Sequence, residues 1–298
     1  MNSGEFIPYK DHKRKKFFSI ITPFKDREHL MNDYFKCLSN QSFKDFEIVI
    51  SVDSGSVLPF EKTKQILEDT HKNFFNENNL KIIEVPNRKN NQLSSSGRAR
   101  NFAINAARGE WLTFLDSDDL FTQEKLLTLH DFIMNNHDIH FLTHDYRQKD
   151  IFNNTEYDVI ANESDISFKN LLFLKFHFLP SATSFKRSAI DQSGLFSLRY
   201  ERGQDWDWYL RLLNNNLISH HHINQILTLR IIDGLNSSDQ NFGKNLQFKK
   251  KIFYSNLSLL KRKRKNIIKI ITFIVSLNLK ILKYLIIIEP LKKVVKNK

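Results

Sequence analysis

The chain has 298 residues, of which 41% are apolar, enough for one large or two small domains around a sizeable core and too apolar for extended disorder. Eight Gly and six Pro exclude collagen-like and turn-dense all-β architectures, and the single Cys37 excludes a disulfide-stapled secreted scaffold, which fits a cytosolic compartment. The formal net charge of +12 sits at one end: residues 249–298 hold 15 Lys and Arg against one acid, Glu289, a net of +14, whereas the other 248 residues hold 30 basic and 32 acidic side chains, a net of −2.

Residues 1–16 are polar and end in Lys13, Arg14, Lys15 and Lys16, without a signal-peptide pattern, so the mature protein is expected to begin near residue 1. Phe17 to Thr22 (FFSIIT) and Phe46 to Val52 (FEIVISV) are short β-rich runs flanking a helical stretch from Glu28 to Leu38, the pattern of parallel strands joined by a crossover helix. Helix is then predicted over Glu61 to Phe75, strand over Leu80 to Glu84, helix over Gly97 to Ala107 and strand over Trp111 to Leu115. This alternation implies an α/β domain with a mixed, mostly parallel central sheet. Ligands in such sheets bind beyond the carboxyl ends of the strands, which singles out Thr22 and Pro23, Asp53 to Ser56, and Asp116 to Asp119. In the second half, Asp165 to Phe176 and Asp205 to Leu213 are expected helices, and Ile218 to His222 and Ile226 to Ile232 expected strands. Neither a repeat nor a linker rich in Pro, Gly or Ser divides the body.

The segment Trp111 to Phe121 (WLTFLDSDDLF) sets Asp116, Asp118 and Asp119 directly after a strand. Carboxylates this close repel unless a cation or hydrogen-bond donors offset them, and oxygen-only ligands suit Mg²⁺ or Mn²⁺. The alternative is a polar turn capping a helix from Thr122 onward, with Asp119 near its N-terminus.

Four segments in order, SIITPFKDR (Ser19 to Arg27), FEIVISVDSGS (Phe46 to Ser56), GRARNFAINAARGEWLTFLDSDD (Gly97 to Asp119) and GQDWDWYLRLL (Gly203 to Leu213), resemble the inverting family 2 glycosyltransferases of GT-A fold over about residues 17 to 240. The resemblance implies transfer of a sugar from a nucleoside-diphosphate donor, a UDP-sugar above all, to an acceptor hydroxyl. It places Thr22, Pro23, Asp53, Ser54, Arg100, Asn101 and Asp116 at the donor nucleotide, Asp118 with Asp116 at a Mn²⁺ or Mg²⁺ ion, Asp205 as the catalytic base, and Trp206 and Trp208 on the acceptor side. Gln204 replaces the first acid of the family's Glu-Asp pair, and Ser54 replaces the second of two adjacent acids. The His that the family often carries two residues after an Arg is absent at Arg230, Ile231, Ile232, which leaves two alternatives: Asp233 substitutes as a metal ligand, or the metal relies on Asp118, phosphates and water. Without the resemblance, Asp205 reads as a helix N-cap with Trp206 and Trp208 as ordinary core, and the rival base is Asp207, about 200° around the helix. The run His220, His221, His222 cannot face one ion from a strand and is taken as structural, as is Cys37.

From Ile267 to Ile288 the chain is largely apolar, with Lys269, Thr272, Ser276, Lys280 and Lys283 forming a helical stripe. Spanning a bilayer would cost about 2.5 to 3.5 kcal/mol for each lysine near its centre. Lying along an anionic surface avoids that cost, and the preceding Lys261 to Lys265 basic run adds about 1 kcal/mol per residue. The alternative is a helix packed on the body or at a subunit interface. The division expected is a polar tail (1–16), a GT-A domain (17–245) with a nucleotide-sugar half (17–119) and an acceptor half (120–245), and basic amphipathic helices (246–298). The expected function is a glycosyltransferase acting on a glycan or lipid-linked glycan acceptor, cytoplasmic and peripheral on the inner face of the membrane. The alternatives are a nucleotide-, nucleic-acid- or membrane-binding protein without transferase activity, or a degenerate family member; the tail lacks the clustered aromatics of a nucleic-acid reader.

Overall fold

The computed structural model describes residues 16–53, 55–77, 79–86, 96–233, 242–256, 272–276 and 278–279. The β-rich runs become β1 (Lys16–Phe24), β2 (Phe46–Asp53), β3 (Leu80–Val85) and β4 (Gly109–Phe114), linked by α1 (Met31–Ser39), α2 (Phe60–Lys72) and α3 (Ser96–Ala106). The four strands pair in parallel in the order β3-β2-β1-β4. Successive side chains of a strand face opposite sides, and β1 and β4 accordingly feed two cores. Ile21, Leu112 and Phe114 join one, and Phe18, Ile20 and Trp111 the other.

After β4 come β5 (Asp119–Phe121), α4 (Lys125–Asn135), β6 (Phe141–Asp150), β7 (Thr155–Val159), α5 (Phe168–Leu172), β8 (Thr183–Lys186), α6 (Ser188–Ser193), α7 (Gln204–Leu213), β9 (His220–Ile232) and α8 (Phe242–Asn256). The sheet continues β4-β8-β6-β9-β5, with β8 antiparallel to β4 and β6, β9 parallel to β6, and β5 antiparallel to β9. Because β2 and β3 lie on one side of β1 and β4 on the other, the chain reverses direction across the sheet at the β1/β4 boundary, the kind of switch point beyond whose strand ends open α/β sheets bind ligands.

Three expectations about elements are corrected. The helix expected from Thr122 begins at Lys125, because Asp119 to Phe121 pair with Thr228 to Arg230 as β5. The helix expected over Asp165 to Phe176 shrinks to Phe168–Leu172, capped by the Ser167 side chain accepting from the Asn170 N–H. The two strands expected over Ile218 to Ile232 are one, β9, whose register against β6 slips so that His144 pairs with Ile223 and Asp145 with Ile226, leaving Asn224 and Gln225 exposed at a bulge.

The expected boundary at 245/246 falls inside α8. Ile252 and Phe253 are fully buried in the core that holds Trp208 and Tyr209, and the Tyr200 and Ser255 hydroxyls meet at 2.9 Å. The basic segment therefore begins as part of the body. Farther on, Phe273 packs edge-on against Phe173 and beside Phe253, and Lys250 donates to Asn278 Oδ1 at 2.7 Å. Most of the stretch from Ile267 to Ile288 and the polar tail 1–15 lie outside the described residues. Among those described, no helix is long and apolar enough to cross a membrane.

Candidate active site

Asp116 and Asp118 follow β4 at this switch point. The buried Arg100 of α3 lies over the Phe114 ring, 5.4 Å from its centroid, and its Nη2 donates to Asp116 Oδ1 at 2.5 Å. Burial opposes the Arg100 charge, but Asp116 and then Asp205 outweigh it and raise its pKa. Arg100 is thus paired directly with Asp116 and also feels the charge of Asp205 at the start of α7. The juxtaposition is made by a close helix contact: a Cβ on Gly97, at the start of α3, would lie 2.9 Å from Gln204 Cβ at the start of α7. Gly203, at φ 72°, occupies the N-cap position of α7 and no side chain caps the helix, so Asp205 is not the cap. Asp207 is committed elsewhere, accepting from Arg211 Nε at 3.1 Å, and burial raises its pKa against the pull of Arg211.

Asp118 faces Arg27, whose Nη2 is 3.7 Å away, while Arg27 Nη1 donates to Asp233 Oδ2 at 2.5 Å. Burial, and next the Asp116 charge, push the Asp118 carboxyl up to about 6, against the pull of Arg27. Asp233 is thereby brought to the acidic motif from a position 115 residues further along the chain.

Asp119 is buried beneath this pair and anchors the loop. Its Oδ2 accepts from Ser181 Oγ at 2.6 Å, its Oδ1 from the Ile231 N–H at 3.3 Å, and the same Ser181 oxygen accepts from the Asp116 N–H at 3.0 Å. Lys125, fully buried, donates to the Ser181 carbonyl at 2.5 Å and to Thr228 Oγ1 at 3.2 Å, with its ammonium over the Phe121 ring. Burial, and next the Asp118 and Asp116 charges, push the Asp119 pKa well up, while burial pushes that of Lys125 well down against the pull of Asp119.

Other expected site residues sort clearly. Asp53 is buried at the end of β2, its Oδ1 accepting from the Gly55 N–H at 2.7 Å, and Pro23 is half-buried at the end of β1. Thr22 is wholly buried, its hydroxyl paired with that of Tyr34 at 2.6 Å, and both amide atoms of Asn101 are spent on the Phe196 backbone at 2.9 Å. The polar atoms of these two side chains are engaged within the protein. The acceptor-side expectation for Trp206 and Trp208 is corrected: both indoles are buried, Trp206 Nε1 donating to the Leu171 carbonyl and Trp208 Nε1 to that of Gly194, with Trp208 packed on Phe185 and Phe196. Ser54 lies outside the described residues. The histidine run is structural: Thr143 Oγ1 bonds both His220 and His222, and His222 Nε2 meets Asp145 Oδ1 at 2.9 Å. Cys37 donates to the Tyr34 carbonyl, and burial pushes its thiol up to about 12.

Residues 19–194 match the model of glycosyl transferase family 2, more than half of the chain. The chain belongs to that family. Among relatives, an uncharacterised glycosyltransferase of Methanocaldococcus jannaschii is 23% identical over 66% of this chain and 64% of its own length. A GalNAc(5)-diNAcBac-PP-undecaprenol beta-1,3-glucosyltransferase of Campylobacter jejuni is 32% identical over 37% of this chain and 32% of its own. The poly(ribitol-phosphate) beta-N-acetylglucosaminyltransferase TarS of Staphylococcus aureus is 30% identical over 40% and 19%. The chain thus spans less than two thirds of each of these relatives. The fold is that of the GT-A neighbours: TarS 1-349 in complex with UDP-GlcNAc superposes with a TM-score of 0.58 at 20% identity, covering 79% of this chain and 66% of that one. A mannosyltransferase of Pyrobaculum calidifontis, in complex with GDP-Man and Mn²⁺, gives 0.55 at 12% identity over 91% and 73%.

Sequence reasoning on this family 2 chain missed Arg27, Ser181 and Lys125. Arg27 stands inside the first matching segment but carries no typical spacing to an acid, and Ser181 lies in an irregular stretch where only the third dimension gives it partners.

Proposed function

We propose that the protein is an inverting glycosyltransferase that moves a sugar from a nucleoside diphosphate, a UDP-sugar, to a hydroxyl of a glycan or lipid-linked glycan. The observation that carries the reading is the grouping of Asp116, Asp118, Asp233 and Asp205 around Arg100 and Arg27 at the strand ends. The Campylobacter and TarS relatives, whose names specify a lipid-linked acceptor and a poly(ribitol-phosphate) acceptor, support the acceptor class.

The donor set suits a divalent ion. Asp118 and Asp233 are hard oxygen donors, and the cation that the pair requires is here supplied by a guanidinium. Among the described residues, no three His, Cys, Asp or Glu side chains form a preformed cage, which fits Mg²⁺ or Mn²⁺ held by one or two carboxylates with phosphate and water completing the shell. Asp118 and Asp233 would hold it, and when bound it supplies Lewis-acid stabilisation of charge on the departing diphosphate.

The chain's own residues then divide the work. Asp116, fixed by Arg100 and by Ser181, and Asp53 bind the ribose and base. Asp205 accepts the proton of the acceptor hydroxyl as its oxygen bonds to the anomeric carbon from the side opposite the diphosphate, whose bond to that carbon breaks, so configuration inverts. The basic C-terminal segment, +14 over residues 249–298, would hold the enzyme on an anionic membrane surface where a lipid-linked acceptor resides. Calorimetric titration with UDP, GDP and CDP in Mn²⁺, followed by sugar-nucleotide turnover, tests the reading. Asp205→Asn should retain donor affinity and lose turnover, because an amide accepts no proton; near-normal kcat would move the base to another residue.

A further inference from the structure

The loop after β1 contains a strained residue followed by a cation that faces the acidic motif. Asp26 has φ 53°, a left-handed conformation that Asp tolerates because its short side chain bonds locally. Here its Oδ1 accepts from the Val57 N–H at 2.6 Å, fastening the loop after β1 to the loop after β2. Strain of this kind persists where the surroundings over-determine the backbone, and it accompanies functional side chains. The side chain it precedes is Arg27, only 14% exposed, with one nitrogen on Asp233 at 2.5 Å and another 3.7 Å from Asp118.

We propose that Arg27 is an internal counter-ion that becomes a phosphate ligand. In the free protein it neutralises Asp118 and Asp233; when the donor binds, it passes to the diphosphate and leaves the two carboxylates to a divalent cation, so nucleotide and cation bind with mutual reinforcement. This rests on the donor reading above. The planar guanidinium donates in a fork that matches phosphate as well as carboxylate, so the exchange keeps its hydrogen bonds. A cation arriving alone must compete with Arg27 for the same carboxylates, whereas one arriving with a diphosphate finds a second anion to take the guanidinium. Linkage then requires UDP to tighten Mn²⁺ by the factor that Mn²⁺ tightens UDP.

The test is Mn²⁺ binding followed by electron paramagnetic resonance, with and without UDP, on the full chain and on Arg27→Gln, with folding confirmed by circular dichroism. Arg27→Gln should bind Mn²⁺ alone about tenfold more tightly than the wild type, bind UDP more weakly, and lose most of the enhancement of Mn²⁺ affinity by UDP, within the roughly 5- to 150-fold range of such couplings. Arg27→Lys, which keeps the charge without the fork, should tighten Mn²⁺ less than Arg27→Gln and serves if the glutamine variant is unstable. If the wild type binds both UDP and Mn²⁺ and removing the guanidinium leaves Mn²⁺ affinity unchanged or weaker, Arg27 is a fixed pin and the inference fails alone. A wild type that binds neither overturns the donor reading with it.

Discussion

Ser181→Ala removes one oxygen that serves two partners. The Ser181 hydroxyl is fully buried, accepts from the Asp116 N–H and donates to the Asp119 carboxyl, so its loss strands both. Each stranded group costs about 1 to 3 kcal/mol, which sums to roughly 2 to 6 kcal/mol for the pair. The contacts of Lys125 and Thr228 with the Ser181 carbonyl survive the substitution and keep the neighbouring backbone in place. For a domain of this size each kcal/mol lowers Tm by about 2 to 4 °C, so a fall of roughly 4 to 24 °C is expected in differential scanning fluorimetry. Because the released backbone is that of Asp116, UDP affinity should also weaken, by on the order of tenfold or about 1.4 kcal/mol. A variant that melts within about 1 °C of the wild type and binds UDP equally well would show that Ser181 does not brace the acidic loop.

Asp118→Ala should abolish the Mn²⁺-dependent part of UDP binding while the fold is retained; unchanged UDP affinity in Mn²⁺ would remove Asp118 from the site. Ending the chain before Lys249 deletes the buried Ile252 and Phe253, side chains whose truncation costs about 2 to 5 kcal/mol apiece, so that form should be insoluble. Ending it after Asn256 should leave a folded body that no longer floats with anionic liposomes, whereas the full chain floats at low salt and less at high salt; equal flotation would show that the anchor lies elsewhere. His220 is held neutral, its pKa pushed down to about 3 by burial and then by His222 and His221. Its folded-state value lies below the unfolded one, so the unfolded chain takes up the proton first as pH falls below about 6.5, and stability present above that pH is lost towards pH 3. Between pH 7 and 4.5 the loss from this residue is on the order of 2 kcal/mol in urea unfolding, and His220→Gln should lose less; an identical loss in both proteins would exclude the histidine as its source.

The first half of the fold was legible because its information is local. Runs such as FEIVISV, fully enclosed in a parallel sheet, announce themselves by β-branched residues, and the acidic motif follows one of them directly. Asp205 stood out in the sequence only through its family context, since nothing in QDWDW excludes a cap until Gly203 is seen at the cap position. The two tryptophans beside it misled because an aromatic next to a carboxylate looks identical in sequence whether it faces a sugar or the core. Both indole N–H groups found backbone carbonyls, at Leu171 and Gly194, that lie distant in sequence. The boundary near residue 245 failed for a related reason: the charge change at Lys249 is a surface property, while Ile252 and Phe253 on the same helix pack inward. Arg27 and Ser181 acquire their partners at separations of 206 and 62 to 65 residues, which no spacing rule reaches.

The central claim is single-step displacement with Asp205 as base. The most direct measurement is proton NMR of the glycoside formed from an α-linked UDP-sugar, reading the coupling of its anomeric proton. The account predicts a β-linked product from the wild type and none from Asp205→Asn. An α-linked product, or a β-linked product formed at the wild-type rate by Asp205→Asn, would contradict it.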